Sequence, residues 1–181
     1  SAFYFDVRKD ALYCDKVGSI RRRAARTVFD QLFTCLTAWL APIICFTAEE
    51  AWMCRYPSDT DSVHLRRFPE LPADWINPDL AARWDRIRRL RRVVTGVLEL
   101  ERAQKRIGAS LQAHPTLHAP AGDLALLAGV DFSEICITSA IELSDQPAPP
   151  DAFRLPEAPE VAAVPGLAGG AKCERCWQVL E

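Results

Sequence analysis

The sequence predicts a mainly α fold, in which a helical bundle is followed by a small α/β element and a short cysteine-bearing knuckle. Three observations carry this expectation. Apolar residues recur at spacings of three and four over two long stretches, near 20–40 and 79–106, the period of a helix with one buried face. After Gly108 that period gives way to short β-branched and apolar clusters. Lys172-Cys173-Glu174-Arg175-Cys176-Trp177 then follows a glycine-rich approach. The expected boundaries are 1–107 for the bundle, 108–144 for the α/β element, 145–160 for a Pro- and acid-rich linker and 161–181 for the knuckle region.

Taken in order, residues 3–13 read as a short helix ending near Tyr13, with a turn through Asp15 and Gly18. Ser19 is placed to cap a helix running from Ile20 to about Leu40. Ala25, Val28, Leu32, Leu36 and Trp39 form its stripe for packing on other helices, while Arg23, Arg26, Asp30, Thr34 and Thr37 lie opposite. Pro42 stops or kinks that helix, and Thr47-Ala48-Glu49-Glu50 has the capping-box pattern that starts the next. Pro57, Pro69, Pro72 and Pro78 make 57–78 irregular, with Val63-His64-Leu65 at most a local strand. The second long helix runs from Asp79 to about Arg106 on a stripe of Leu80, Trp84, Ile87, Leu90, Val94 and Leu98. Arg88, Arg89 and Arg92 leave that stripe, and Arg83 and Arg91 flank it. Beyond Gly108, strands are expected at 115–119, 135–138 and 161–164 and a short helix at 123–128.

A length of 181 residues allows one or two domains, and 49% hydrophobic with 25% charged residues is an ordinary globular balance. The net charge of −2 does not itself favour nucleic acid, but arginine is concentrated in two stretches. No apolar run reaches the roughly 20 residues that span a bilayer, the opening residues do not read as a signal peptide, and the absence of an initiating Met points to an excised piece of a longer chain. Cys14, Cys35, Cys45, Cys54 and Cys136 stand singly and are expected to be small buried hydrophobes. An odd total of 7 cysteines, with no paired spacing outside Cys173 and Cys176, argues against a secreted disulfide framework and favours the cytoplasm.

Cys173 and Cys176 can aim two sulfurs at one metal, half of the four ligands of a tetrahedral structural zinc. A redox dithiol and incidental cysteines are the alternatives, although no βαβ context supports the former. Arg22, Arg23 and Arg26, and Arg88, Arg89 and Arg92 with Lys105 and Arg106, suit phosphate oxygens because guanidinium presents a fixed fork. The plainer reading is a solvated helix face laced with i,i+4 pairs. Trp39, Trp52 and Trp84 sit on stripes as core residues, whereas Trp177 beside the cysteines is placed to stack on a base. His64, His114 and His118 have no nucleophile near them in sequence, and there is no Gly-rich phosphate loop, so a catalytic centre is not expected here.

Several of these stretches, in order, resemble the C-terminal third of bacterial isoleucyl-tRNA synthetases. They are Ser1 to Tyr13, Trp39-Leu40-Ala41-Pro42 with Phe46 to Trp52, Ser62 to Leu65 with Phe68-Pro69, Lys105 to Gly108 with Ser110-Leu111, and Lys172 to Trp177. Pro42 and Thr47 to Trp52 also resemble the valine and leucine enzymes of the same class, and the terminal knuckle points to isoleucine. The resemblance implies an anticodon-binding helical bundle, a truncated zinc finger, a tRNA partner, and a cytoplasmic, monomeric parent ligase. That parent would use ATP and Mg on catalytic and editing domains lying outside this segment, with a second cysteine pair following the first. A helical adaptor binding acidic protein and a dithiol oxidoreductase remain as rivals.

Overall fold

The computed structural model describes residues 2–180. It is about half helical with a small mixed sheet. The chain forms two compact units, Arg8–Ile76 and Ser1–Val7 together with Asn77–Glu181.

In the first unit, α2 (Lys9–Tyr13) leads through a turn into α3 (Ile20–Leu40), which is followed by α4 (Cys45–Arg55). Ser19 caps α3 as expected, its hydroxyl accepting from the amide of Arg22 at 3.3 Å. Asp15 secures the same end: the fork of Arg21 donates to both its oxygens at 2.9 Å. The expected start of α4 is corrected. The helix begins at Cys45, with the amide of Ala48 donating to Ile44 O at 2.9 Å, so Thr47 lies inside its first turn. Glu49 is drawn into a longer-range task, its carboxylate accepting from Ser62 Oγ and the amide of Val63, each at 2.9 Å. That bond fixes a 3₁₀ turn at Val63–Leu65, where a local strand was expected.

The core of this unit is small: Ala41, Ala48, Trp52 and Val63, with Phe33, Met53 and Tyr56 against them. Trp52 stacks on Phe33, and the Arg66 guanidinium lies 4.8 Å from its ring centroid. The α3 stripe is only partly covered. Ala25 is buried, but Val28, Leu36 and Trp39 remain 42%, 39% and 39% exposed, because α2, α4 and the 63–65 turn cover one sector of the helix. Trp39 is therefore not the core residue expected. Cys45 and Cys54 are exposed rather than buried, whereas Cys35 is buried.

The second unit is organised on α5 (Pro78–Ala103). Asn77 Oδ1 accepts from the amide of Leu80 at 2.9 Å and Pro78 occupies the first turn, where its missing N–H costs nothing. Ile87, Leu90, Val93, Val94, Val97 and Leu98 form the buried face. They pack on a four-stranded sheet of order β2-β1-β4-β3, made of β1 (Thr116–His118), β2 (Glu142–Ser144), β3 (Phe153–Leu155) and β4 (Ala158–Val164). β1 runs parallel to β2 and antiparallel to β4. The close approach of helix and sheet depends on Gly96, where an added Cβ would lie 2.6 Å from the Phe153 ring. In this unit the long helix thus packs on a sheet, not on a second long helix.

Two expectations are corrected here. Residues 145–160 are not a bare linker, since they supply β3 and the first three residues of β4. Ile135-Cys136-Ile137-Thr138 is not a strand. Asp131 accepts from the amide of Glu134 at 3.0 Å and starts the one-turn helix α7 (Phe132–Cys136), which buries Phe132, Ile135 and Cys136 and ends on Ile137 at φ 59°. α6 (Ala121–Leu126) forms close to its expected place, and α1 (Ala2–Val7) puts Val7 into the same core.

Candidate nucleic-acid interface

The arginines of α5 divide by what they touch. Arg83 donates through Nε to Leu126 O at 2.8 Å and through Nη2 to Ala128 O at 2.7 Å, closing the carbonyls left open at the end of α6. Arg91 does the same for α7 through Ile135 O at 2.8 Å. Arg86 forks onto Asp123 and also reaches Glu160, and the Arg86 and Asp123 side chains keep only 20% and 12% of their exposure. These three cations are committed to holding the unit together.

Arg88, Arg89 and Arg92 face solvent. Arg88 lies 3.7 Å from Asp85 and 5.4 Å from the Phe3 ring centroid, and Arg92 lies 3.3 Å from Glu157 on the β3–β4 turn. Such exposed pairs are worth about 0–1 kcal/mol and exchange readily for a phosphate. Lys105 and Arg106 follow the helix: Lys105 takes a left-handed φ of 60°, and Arg106 pairs with Glu101 at 3.1 Å. On α3, in the other unit, Arg23 and Arg26 are exposed, whereas Arg22 is half-buried and donates to Asp15 O at 3.1 Å, with its Nε buried and unpartnered.

The cysteine pair sits on a hairpin formed by β5 (Ala171–Lys172) and β6 (Val179–Leu180). The amide of Cys173 donates to Gln178 O at 2.7 Å and that of Trp177 to Cys173 O at 2.9 Å, so the chain doubles back tightly around the thiols. Backbone amides of Cys176 and then Arg175 hold the Cys173 thiol below its ordinary range, favouring the thiolate that a metal takes. Two sulfurs on such a turn fit half of a tetrahedral zinc site. Among the described residues no group of three or more His, Cys, Asp or Glu side chains converges to complete one. Trp177 is 62% exposed at φ 66°, and Lys172 Nζ lies 4.9 Å from its ring centroid. Of the other tryptophans, Trp52 is buried, Trp84 packs against the core of its unit and Trp75 is exposed.

His64 and His114 are exposed, and His118 Nδ1 is engaged with Gln146 O at 3.0 Å. No described helix is long and apolar enough to cross a membrane. The sequence reading missed Lys172, whose partnership with Trp177 needs the hairpin register, and it missed Ser139, which bonds the hairpin from a distant segment.

A family profile described as the anticodon-binding domain of tRNA ligase matches residues 1–117. The chain is similar to the isoleucine–tRNA ligase of Agrobacterium fabrum, 55% identical over 180 residues, which is 99% of this chain and 18% of that protein. It is likewise 55% identical over 181 residues to the isoleucine–tRNA ligase of Ruegeria pomeroyi, covering 99% of this chain and 19% of that one. The isoleucine–tRNA ligase of Bartonella henselae is 49% identical over 182 residues, again with 19% of its length covered. The chain thus spans about a fifth of the length of these relatives. With more than half of its residues matched by that profile, the chain belongs to the anticodon-binding domain family of tRNA ligases.

Proposed function

We propose that this chain is the tRNA-binding part of an isoleucine–tRNA ligase, a cytoplasmic, monomeric enzyme that attaches isoleucine to its tRNA with ATP and Mg on catalytic and editing domains outside this segment. The observation that carries the reading is the division of the arginines on α5. Arg83, Arg86 and Arg91 are spent on the fold, while Arg88, Arg89 and Arg92 face solvent on the same helix. Phosphate contacts of that kind position an RNA without reading its sequence. Arg22, Arg23 and Arg26 with Lys105 and Arg106 extend the same chemistry, and the helical part serves as an anticodon-binding bundle.

Cys173 and Cys176 supply two thiolates of a structural zinc, and the remaining ligands come from a second pair elsewhere in the full polypeptide. Zinc there supplies rigidity alone, fixing the turn on which Trp177 stands. Trp177 presents an exposed indole face to an unpaired base, since bases that leave a helix are commonly recognised by stacking on aromatic side chains.

Equilibrium binding of the isoleucine tRNA transcript to the zinc-loaded full polypeptide tests this. Trp177→Ala is expected to weaken binding about 5- to 150-fold, the range for one lost base–aromatic stack, with little change in salt dependence. Wild-type affinity of that variant would remove the stacking role.

A further inference from the structure

We propose that Ser139 is the positioning residue that holds the Cys173–Cys176 hairpin, and with it the Trp177 indole, at the place where the indole meets the RNA. The inference rests on the stacking role given to Trp177 above. It starts from the size of the hairpin. β5 and β6 are two residues each, and a hairpin of that length has no independent stability in water. Its position must therefore come from what it is bonded to.

Ser139 is one of those anchors, and it joins three segments distant in sequence. Its hydroxyl accepts from the amide of Val179 on β6 at 2.7 Å and donates to Leu111 O in the 3₁₀ turn Ser110–Gln112. A hydroxyl has one proton, so donating it to Leu111 leaves its lone pairs facing the Val179 amide and fixes the rotor. The segment carrying it is itself held: Thr138 is fully buried, its amide donating to Ser133 O at 3.0 Å, and the amide of Ser139 donates to Ala113 O at 3.3 Å. The far side of the relay is equally tied. Arg102 Nη2, near the end of α5, donates to Ser110 Oγ at 2.8 Å, and Gln112 O accepts from the amide of Ala168 at 2.9 Å. A continuous path of bonds runs from α5 through the 110–112 turn and Ser139 to β6. None of these bonds ends on a cysteine sulfur, so the path sets where the hairpin sits and is separate from the metal ligands.

The test is a double-mutant cycle on the zinc-loaded full polypeptide, with the isoleucine tRNA transcript as probe. Ser139→Ala is expected to weaken binding about 3- to 10-fold, part of the loss seen when one stacked base is removed outright. Zinc content and salt slope stay at wild-type values. In the Ser139→Ala background Trp177→Ala then costs clearly less than it does alone, because the indole is already displaced. Ser139→Thr, which keeps the hydroxyl, restores affinity to within about 2-fold of wild type, and Ser139→Val does not; that near-isosteric pair carries the test if the alanine variant folds poorly. Losses from Ser139→Ala and Trp177→Ala that multiply independently overturn the proposal while leaving Trp177 its role. So does equal binding by the Thr and Val variants, or loss of zinc from Ser139→Ala. A Trp177→Ala variant that binds like wild type takes down the stacking reading and this inference with it.

Discussion

Replacing Arg86 by alanine isolates the structural half of the α5 arginines. The guanidinium forks onto Asp123 and reaches Glu160, with side-chain exposures of 20%, 12% and 42% for the three residues. Breaking a fully buried pair costs about 3–5 kcal/mol, because the remaining charge is left without a partner. The residual exposure of Arg86 and the solvated second partner reduce that to about 2–3 kcal/mol here. With a urea dependence of about 2 kcal/mol per molar, the unfolding midpoint followed by circular dichroism should fall by about 1 M. The same change carries a pH signature. The hydrogen bond from Arg86 holds the Glu160 carboxyl below its ordinary range. Its stabilisation is therefore present above the unfolded value of about 4.3 and lost as pH falls through the folded value. Arg86→Ala should flatten that part of the acid profile. Arg89→Ala is the control, since the exposed Arg89 should change stability by no more than about 0.5 kcal/mol. If both variants shift the midpoint equally, the division of these arginines by role is mistaken.

Ser19→Ala should cost about 1 kcal/mol, the usual loss for an N-cap side chain, whereas Thr47→Ala inside the first turn of α4 should be close to neutral in thermal unfolding. The Trp52 Nε1 proton is buried without an acceptor, so Trp52→Phe, which removes that donor, should cost far less than the roughly 3–5 kcal/mol of Trp52→Ala. In the metal-free protein at pH 7, iodoacetamide should modify Cys173 faster than the exposed Cys45 and Cys54, with buried Cys136 slowest of all; mass spectrometry of the digest showing Cys173 labelled no faster than Cys45 and Cys54 would mean that the hairpin amides do not favour the thiolate.

What could be read from the sequence was what is decided locally. Ser19 fixes the start of α3, the stripe read from Asp79 onward places α5 within a residue of its start at Pro78, and the periodicity of Ile87, Leu90, Val94 and Leu98 is the buried face observed; Pro78, read as part of the irregular connection, is instead the first residue of α5 behind the Asn77 cap. Thr47 misled because the helix starts earlier, from Ile44, which puts Thr47 in its first turn rather than ahead of it. Residues 145–160 looked like a linker because β3 is only three residues long, and its strand character comes from pairing with β4 rather than from propensity. Ile135 to Thr138 carried β-branched side chains, yet the Asp131 cap imposed a helical turn. The candidate site was legible as residue types, arginine runs and a CxxC. The helical period set Arg88, Arg89 and Arg92 off the stripe, and these three are exposed; what was not legible was what Arg83, Arg86 and Arg91 hold, because their partners lie 37 to 74 residues away.

If Arg88 and Arg89 meet RNA phosphates, the salt dependence of tRNA binding must pass through them. Binding of the isoleucine tRNA transcript to the zinc-loaded full polypeptide should be measured between about 50 and 200 mM salt, where phosphate contacts dominate the slope. Arg88→Ala and Arg89→Ala should each weaken binding and lower the slope of log K against log salt by about 0.7–0.9, the release expected for one phosphate contact. The double variant should lower it by about twice that, with the loss shared by non-cognate tRNAs. Wild-type affinity and slope in both variants would contradict the claim and leave this face of α5 as solvated surface.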